Sequence, residues 1–90
     1  MAATEGLSLY HYRACAFCAR VRRATERLGL ELELRDVQLE SERRAELMAA
    51  TGRGTVPVLR IEEAPGEIRW LPESSDIIRY LEGRFGDGKC

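Results

Sequence analysis

The chain is poor in the residues that most often carry chemistry. It has one histidine, one tryptophan and three cysteines in 90 residues, with two phenylalanines and three tyrosines beside them. It also lacks a dominant charge. Fourteen Lys and Arg stand against fifteen Asp and Glu, a net charge of -1 with a pI near 5.9, so no basic field exists to hold a polyanion and nucleic acid is not an expected partner. Long hydrophobic runs are missing too. No stretch approaches the roughly 20 apolar residues that cross a bilayer, and the first ten residues carry Glu5 without the basic start and apolar run of a secretory leader. The expectation is a cytoplasmic protein with no membrane partner. Cys15, Cys18 and Cys90 are odd in number and too unevenly spaced for a secreted disulfide framework.

What is present is an ordinary globular mixture, 44% hydrophobic and 32% charged, in a length that suits one domain. Residues 1–90 are expected as a single unit, with 1–6 and 86–90 as flexible ends. Residues 7–12 alternate as a short strand. From Cys15 the apolar positions Cys18, Val21, Ala24 and Leu28 recur every three or four residues and Gly29 follows as a stop. That spacing predicts a helix with both thiols in its first turn. Leu30, Leu32 and Leu34 alternate with Glu31, Glu33 and Arg35, the pattern of a second strand with one buried face. These residues are also good helix formers, but the length of a β-α-β unit favours the strand.

Ser41 is placed to cap a second helix that runs through Ala45, Leu47, Met48 and Ala49 to Gly52. The loop 51–55, with its two glycines, leads to a strand at Val56–Ile61, whose Pro57 must lie at its start because proline has no N–H for a ladder. Ala64-Pro65-Gly66-Glu67 suits a type II turn that returns the chain through a strand at Ile68–Leu71. Ser74 or Ser75 can cap a last helix with Ile77, Ile78, Leu81 and Phe85 on one face. The order is β-α-β-α-β-β-α, an α/β fold in which a parallel crossover precedes an antiparallel hairpin. It implies a four-stranded mixed sheet with helices on both faces.

The chemistry centres on Cys15-Ala16-Phe17-Cys18. A thiol attacks only as its thiolate, and the N-terminus of a helix favours that anion through unpaired N–H groups and the helix dipole. Five arginines (Arg13, Arg20, Arg22, Arg23, Arg27) and one acid (Glu26) between residues 13 and 27 add a local charge of +4. Cys18, one turn on and closer to buried, is placed to attack a disulfide formed at Cys15. A C-x-x-C pair also fits half of a zinc site or two small core residues. Zinc lacks ligands, since only His11 and Cys90 remain to join the pair. His11 has no partner for Cys–His hydrolysis, Tyr10 and Trp70 read as packing residues, and Cys90 reads as an exposed terminal thiol able to link chains on oxidation.

Cys15-Ala16-Phe17-Cys18, Thr55-Val56-Pro57-Val58 and Glu73-Ser74-Ser75-Asp76-Ile77, in that order and spacing over nearly the whole chain, resemble a glutaredoxin of the thioredoxin-like fold. The branch they resemble is the one similar to glutathione S-transferase N-terminal domains. The resemblance implies that Cys15 is the nucleophile that accepts a glutathionyl group and that Cys18 resolves. It also implies that Val56 offers its backbone to the cysteinyl part of glutathione and that Pro57 is the cis-proline facing the thiols. Glu73 and Ser74 match the pair that holds the γ-glutamyl end, and a helix N-terminus is a suitable place for its carboxylate. Arg13, Arg20, Thr55 and Ser75 are further candidates for contact with glutathione.

Ala16 and Phe17 replace the Pro and Tyr that many glutaredoxins carry between the cysteines. The transferase-like branch often carries a second, helical domain, so the expected reaction is one that needs the glutathione site alone. That reaction is reduction of protein–glutathione mixed disulfides and of protein disulfides by a monomer, with glutathione as co-substrate. The alternative is a scaffold in which Cys15 and glutathione bridge an iron–sulfur cluster between two chains. No other metal is expected.

Overall fold

The computed structural model describes residues 4–86. In chain order they form β1 (Leu7–His11), α1 (Ala16–Leu28), β2 (Glu33–Asp36), α2 (Ser41–Thr51), β3 (Val58–Ala64), β4 (Glu67–Pro72) and α3 (Ser74–Phe85). This is the expected β-α-β-α-β-β-α order, closed into one four-stranded sheet with strand order β2-β1-β3-β4. β1 pairs parallel with β2 and antiparallel with β3, and β3 pairs antiparallel with β4. Cys90, read from sequence as an exposed thiol, lies outside the described residues. Among the described residues no helix is long and apolar enough to cross a membrane.

All five residues of β1 are buried because the strand is interior and both its faces are covered. Leu7 and Leu9 join Val21 of α1, Leu59 and Ile61 of β3, and Ile77 and Leu81 of α3 in one core. Tyr10 points to the opposite face, where it packs with Val37, Leu47 of α2 and Val58. Thus α1 and α3 cover one side of the sheet and α2 the other. The two covers are unequal, since Leu47 is the only buried residue of α2. Polar bonds supplement it. The Tyr10 hydroxyl donates to Glu46 at 2.8 Å and accepts from Arg35 at 2.7 Å, and the Tyr10 ring leans on Trp70 at 5.4 Å.

Several boundaries differ from the sequence reading, each for a physical reason. β2 begins at Glu33 rather than Leu30, and Leu34 is 50% exposed. β2 is an edge strand, so it lacks the burial its alternation suggested; Leu30, just before it, is the residue that reaches the core. Ser41 does not cap α2: the N-cap is Glu40, without a side-chain bond. The preceding turn is held instead by Asp36, whose Oδ1 accepts from the N–H groups of Gln38 and Leu39 at 2.8 and 2.9 Å. Pro57 precedes β3, which runs from Val58 to Ala64.

The turn into β4 has Gly66 at φ 84°, the left-handed position a type II turn requires. Residues 4–6, expected within a flexible end, bond to the sheet region. Thr4 Oγ1 donates to the Glu31 carbonyl at 2.9 Å, and the Gly6 carbonyl accepts from Glu62 N–H at 2.9 Å. A Cβ at Gly6 would stand 2.4 Å from the Glu62 carbonyl oxygen, so only glycine permits this approach.

Candidate functional site

Cys15 is the N-cap of α1, with φ -76° and ψ 122°, and its sulfur accepts the Cys18 N–H at 3.3 Å. The strand ends, the chain turns once, and one of the orphan donors of the helix's first turn, the Cys18 N–H, points at a thiol sulfur. The turn is anchored from both sides, since Cys15 N–H donates to the Tyr12 carbonyl at 3.2 Å and the Cys15 carbonyl accepts from Ala19 N–H at 3.0 Å. Arg22, two turns into the helix, reaches back to donate to His11 Nδ1 at 3.0 Å and to the Arg13 carbonyl at 3.2 Å. One guanidinium therefore ties the loop that carries Cys15 to the end of β1.

The two thiols differ in environment. Cys15 keeps a 9% exposure while Cys18 is fully buried. Burial first, and then the hydrogen bond with Cys15, push the Cys18 thiol up to about 12, so at neutral pH it holds its proton. Both thiols are buried, Cys15 less completely than Cys18, and a more accessible sulfur at a helix N-terminus beside a fully buried, protonated second thiol is the division of labour that disulfide exchange needs.

Burial also holds His11 neutral, with the charge of Arg22 as the second cause. Arg13 adds to it and Asp36 opposes it. Since arginine only donates, His11 Nδ1 must be an unprotonated acceptor. A folded-state value below 6.5 means that the unfolded chain binds the extra proton first. The contribution of His11 to stability is therefore full above 6.5 and is lost as the pH falls towards and through the lowered folded value. With a single histidine in the chain, denaturation midpoints are expected to fall between pH 7.0 and 5.5, and His11→Asn should flatten that slope. Urea titrations of both proteins across the interval check it; equal slopes would remove His11 as the cause.

Beside the cysteine turn lies a cleft of about 680 Å³. Thr55, Val56 and Pro57 form one part of its wall, Glu73, Ser74 and Ser75 another, and Phe17 and Arg20 of α1 a third. The Val56–Pro57 bond is cis, as the resemblance implied. Thus three segments far apart in sequence converge, and seven of the sequence-derived candidates line one space. Cys15 and Cys18 flank Phe17 without lining the cleft themselves, and Arg13 is exposed outside it.

Glu73, not Ser74 or Ser75, occupies the N-cap of α3, and no side chain caps that helix. Its backbone sits at φ 75° and ψ 116°, a region that costs a non-glycine residue about 1–3 kcal/mol and is often found at ligand-binding positions. Ser74 is buried as the first helical residue.

The sequence reading missed Arg53 and gave Trp70 a packing role only, yet both line the cleft. The signal for Arg53 was present in Gly52-Arg53-Gly54, a cation between two glycines just ahead of Val56-Pro57. Trp70 does both jobs: its ring packs on Tyr10 and also borders the cleft. Among the described residues no group of three or more His, Cys, Asp or Glu side chains converges as for a metal ion. An iron–sulfur cluster would therefore have to draw ligands from a second chain and from glutathione.

Comparison with known proteins agrees with this geometry. Residues 9–89 match the family described as glutathione S-transferase, N-terminal domain. No curated protein matches the chain significantly in sequence. Among solved structures, maleylacetoacetate isomerase from Anaeromyxobacter dehalogenans, with dicarboxyethyl glutathione and citrate bound, is 33% identical with a TM-score of 0.69, over 91% of this chain and 38% of that one. Glutaredoxin 2 from Salmonella typhimurium, in complex with glutathione, is 29% identical with a TM-score of 0.71, over 89% and 34% of the two chains. A trimeric glutathione transferase from Leishmania is 27% identical with a TM-score of 0.75, over 96% and 18%. The chain thus spans between 18% and 38% of the length of these proteins. With a family match over nearly its full length and the thioredoxin-like topology in place, the chain belongs to the glutathione S-transferase N-terminal domain family.

Proposed function

We propose that the chain binds glutathione in this cleft and acts as a glutaredoxin-type thiol–disulfide oxidoreductase, reducing protein–glutathione mixed disulfides and protein disulfides in the cytoplasm. The observation that carries the reading is the Cys15–Cys18 turn, in which the less deeply buried sulfur, that of Cys15, accepts a helix N–H at 3.3 Å beside a fully buried partner thiol. The cleft complements glutathione group by group. The uncapped N-terminus of α3 with the Ser74 hydroxyl suits the γ-glutamyl carboxylate, and Glu73 suits the adjacent ammonium. The Val56 backbone suits the cysteinyl peptide, and Arg53 or Arg20 the glycine carboxylate. The glutathione held by the Salmonella glutaredoxin and the glutathione derivative held by the isomerase support the same use of the cleft.

In this reading the Cys15 thiolate attacks the glutathione sulfur of a protein–glutathione disulfide. A Cys15–glutathione disulfide forms and the protein sulfur leaves as a thiolate that takes a proton from water. The thiolate of a second glutathione then attacks the glutathione sulfur on Cys15, giving oxidised glutathione and restoring the Cys15 thiolate. On a protein disulfide, Cys18 instead displaces the partner held on Cys15. That leaves a Cys15–Cys18 disulfide for two glutathiones to reduce. The test is the glutathione-dependent reduction of a glutathionylated peptide by the purified protein: turnover is expected, and its absence overturns the reading.

Glu73 separates binding from stability. In Glu73→Gly the positive φ is relieved, worth about 1–3 kcal/mol, against about 0.5–1 kcal/mol of added chain entropy, while the carboxylate is lost. The thermal midpoint should hold or rise as glutathione affinity falls. Glu73→Ala keeps the strain, so it should lose affinity without that gain. Differential scanning calorimetry with and without glutathione distinguishes the two variants.

A further inference from the structure

The five arginines between residues 13 and 27 do not act as one group. Arg22 is spent inside the fold on His11 and the Arg13 carbonyl. Arg27 pairs with Glu82 of α3 at 2.6 Å. Arg13, Arg20 and Arg23 are exposed and, among the described residues, have no acidic partner, and of these Arg20 and Arg23 lie on α1. Elsewhere Arg35, Arg43, Arg60 and Arg79 each meet a carboxylate while Arg44, Arg53, Arg69 and Arg84 do not, so what distinguishes Arg20 and Arg23 is their place on the helix that begins at the cysteine turn.

Phe17, Arg20 and Arg23 follow one another at three-residue spacing on α1, so each neighbours the next in a row that winds round the exposed side of the helix, with Arg23 about 120° around the axis from Phe17. Phe17, 58% exposed, and Arg20 line the cleft, and Arg23 stands one turn beyond it. The row therefore begins as an exposed aromatic ring between the two cysteines and continues outward as two guanidinium groups without counterions. Glutathione in the cleft can reach Arg20, whereas Arg23 lies outside the lining. On the proposed reaction, the protein half of the disulfide must lie against the rim beside Cys15, and the first two turns of α1 form that rim.

We infer, resting on the oxidoreductase reading, that the Phe17–Arg20–Arg23 row of α1 is a docking face for the protein half of the disulfide substrate and selects cysteines set in acidic segments. Phe17 supplies an apolar contact next to the reacting sulfur, and Arg23 meets a carboxylate a few residues from the substrate cysteine. Exposed charge pairs of this kind give about two- to fivefold each and are screened by salt.

The experiment compares two glutathionylated peptides of equal length, one with acidic and one with basic residues flanking the cysteine, and a small uncharged glutathionyl mixed disulfide. At low ionic strength the acidic peptide should have about a tenfold higher kcat/KM than the basic one, and 0.5 M salt should shrink the difference to about twofold or less. Arg23→Glu, outside the cleft, should erase or invert the preference when the kcat/KM of each peptide is divided by that of the small disulfide, which carries any change in the reactivity of Cys15 itself. Equal kcat/KM for the two peptides, or an acidic preference that survives Arg23→Glu, overturns the docking face and leaves the oxidoreductase reading intact.

If the small disulfide is not turned over at all, the oxidoreductase reading fails. Fluorescence anisotropy of the acidic peptide with serine in place of cysteine then decides the docking face by itself. Salt-sensitive binding lost in Arg23→Glu supports it, and binding indifferent to both overturns it.

Discussion

Cys15→Ser loses glutathione-dependent turnover by at least about a thousandfold, as removal of a sole nucleophile does, on both mixed disulfides and protein disulfides. The variant should remain folded. Serine is a favoured N-cap residue, and its hydroxyl can accept the Cys18 N–H that the sulfur accepts at 3.3 Å. A thermal midpoint equal to or slightly above that of the parent will show that activity is lost with the sulfur and not with the fold. Cys18→Ser gives the complementary result. It keeps the mixed-disulfide route, which needs Cys15 and glutathione alone, and loses the intramolecular route.

The pH dependence of the two routes differs in the same experiment. Burial holds the Cys18 thiol near 12, so its thiolate fraction rises about tenfold for each pH unit throughout the neutral and mildly alkaline range. The Cys18-dependent route should therefore accelerate steadily from pH 7 to 9, and this acceleration should be missing in Cys18→Ser. Retained turnover of a mixed disulfide in Cys15→Ser would remove Cys15 as the nucleophile. A Cys18-dependent rate that is flat with pH would remove the buried protonated thiol as the resolving group.

Ile77→Ala should be the most damaging of the core changes near the site. Ile77 is fully buried against Leu7, Leu9, Ile61 and Leu81, and its N–H donates to the Glu73 carbonyl at 3.0 Å, closing the first turn of α3. Truncation of such a side chain costs about 2–5 kcal/mol, against the total of about 5–15 kcal/mol that holds a small domain together. The thermal midpoint should drop by at least about 10 °C. Glutathione affinity should fall with it, because Ile77 seats the turn that presents Glu73 and Ser74 to the cleft. Ile68→Thr, on a position of β4 that is 40% exposed, is the control and should shift stability by no more than about 0.5 kcal/mol. Urea denaturation of the three proteins tests the ranking. An Ile77→Ala protein as stable as the control would contradict the packing described for α3.

The relation between sequence and structure is uneven along the chain. Where one side-chain pattern has one physical outcome, the sequence was sufficient: the 3–4 spacing of Cys18, Val21 and Ala24 became the buried stripe of α1. Pro65-Gly66 likewise became the turn between β3 and β4, with Gly66 at positive φ. Where the outcome depends on neighbours, it misled. The alternation in 30–35 is that of a half-buried strand, yet Leu34 is exposed because β2 lies at the sheet edge. The serines before α2 and α3 are favoured caps by type, but Glu40 and Glu73 take those positions because the incoming turns decide which residue leaves helical geometry first.

The element order and the thiol pair at the head of the first helix were legible from residue type and spacing, which act locally, whereas the candidates around Val56-Pro57 and Glu73-Ser74 came from the family resemblance of those motifs. That α1, the cis-proline loop and α3 share one cleft, and that Arg53 and Trp70 belong to it, follows from contacts between distant segments. The same long-range contacts settle that, of the arginines near Cys15, Arg22 and Arg27 are paired within the fold while Arg13, Arg20 and Arg23 are exposed. The physical reason is range. Propensity and periodicity act over a few residues, whereas burial, charge pairing and the shape of a cleft are set by groups brought together from distant parts of the chain.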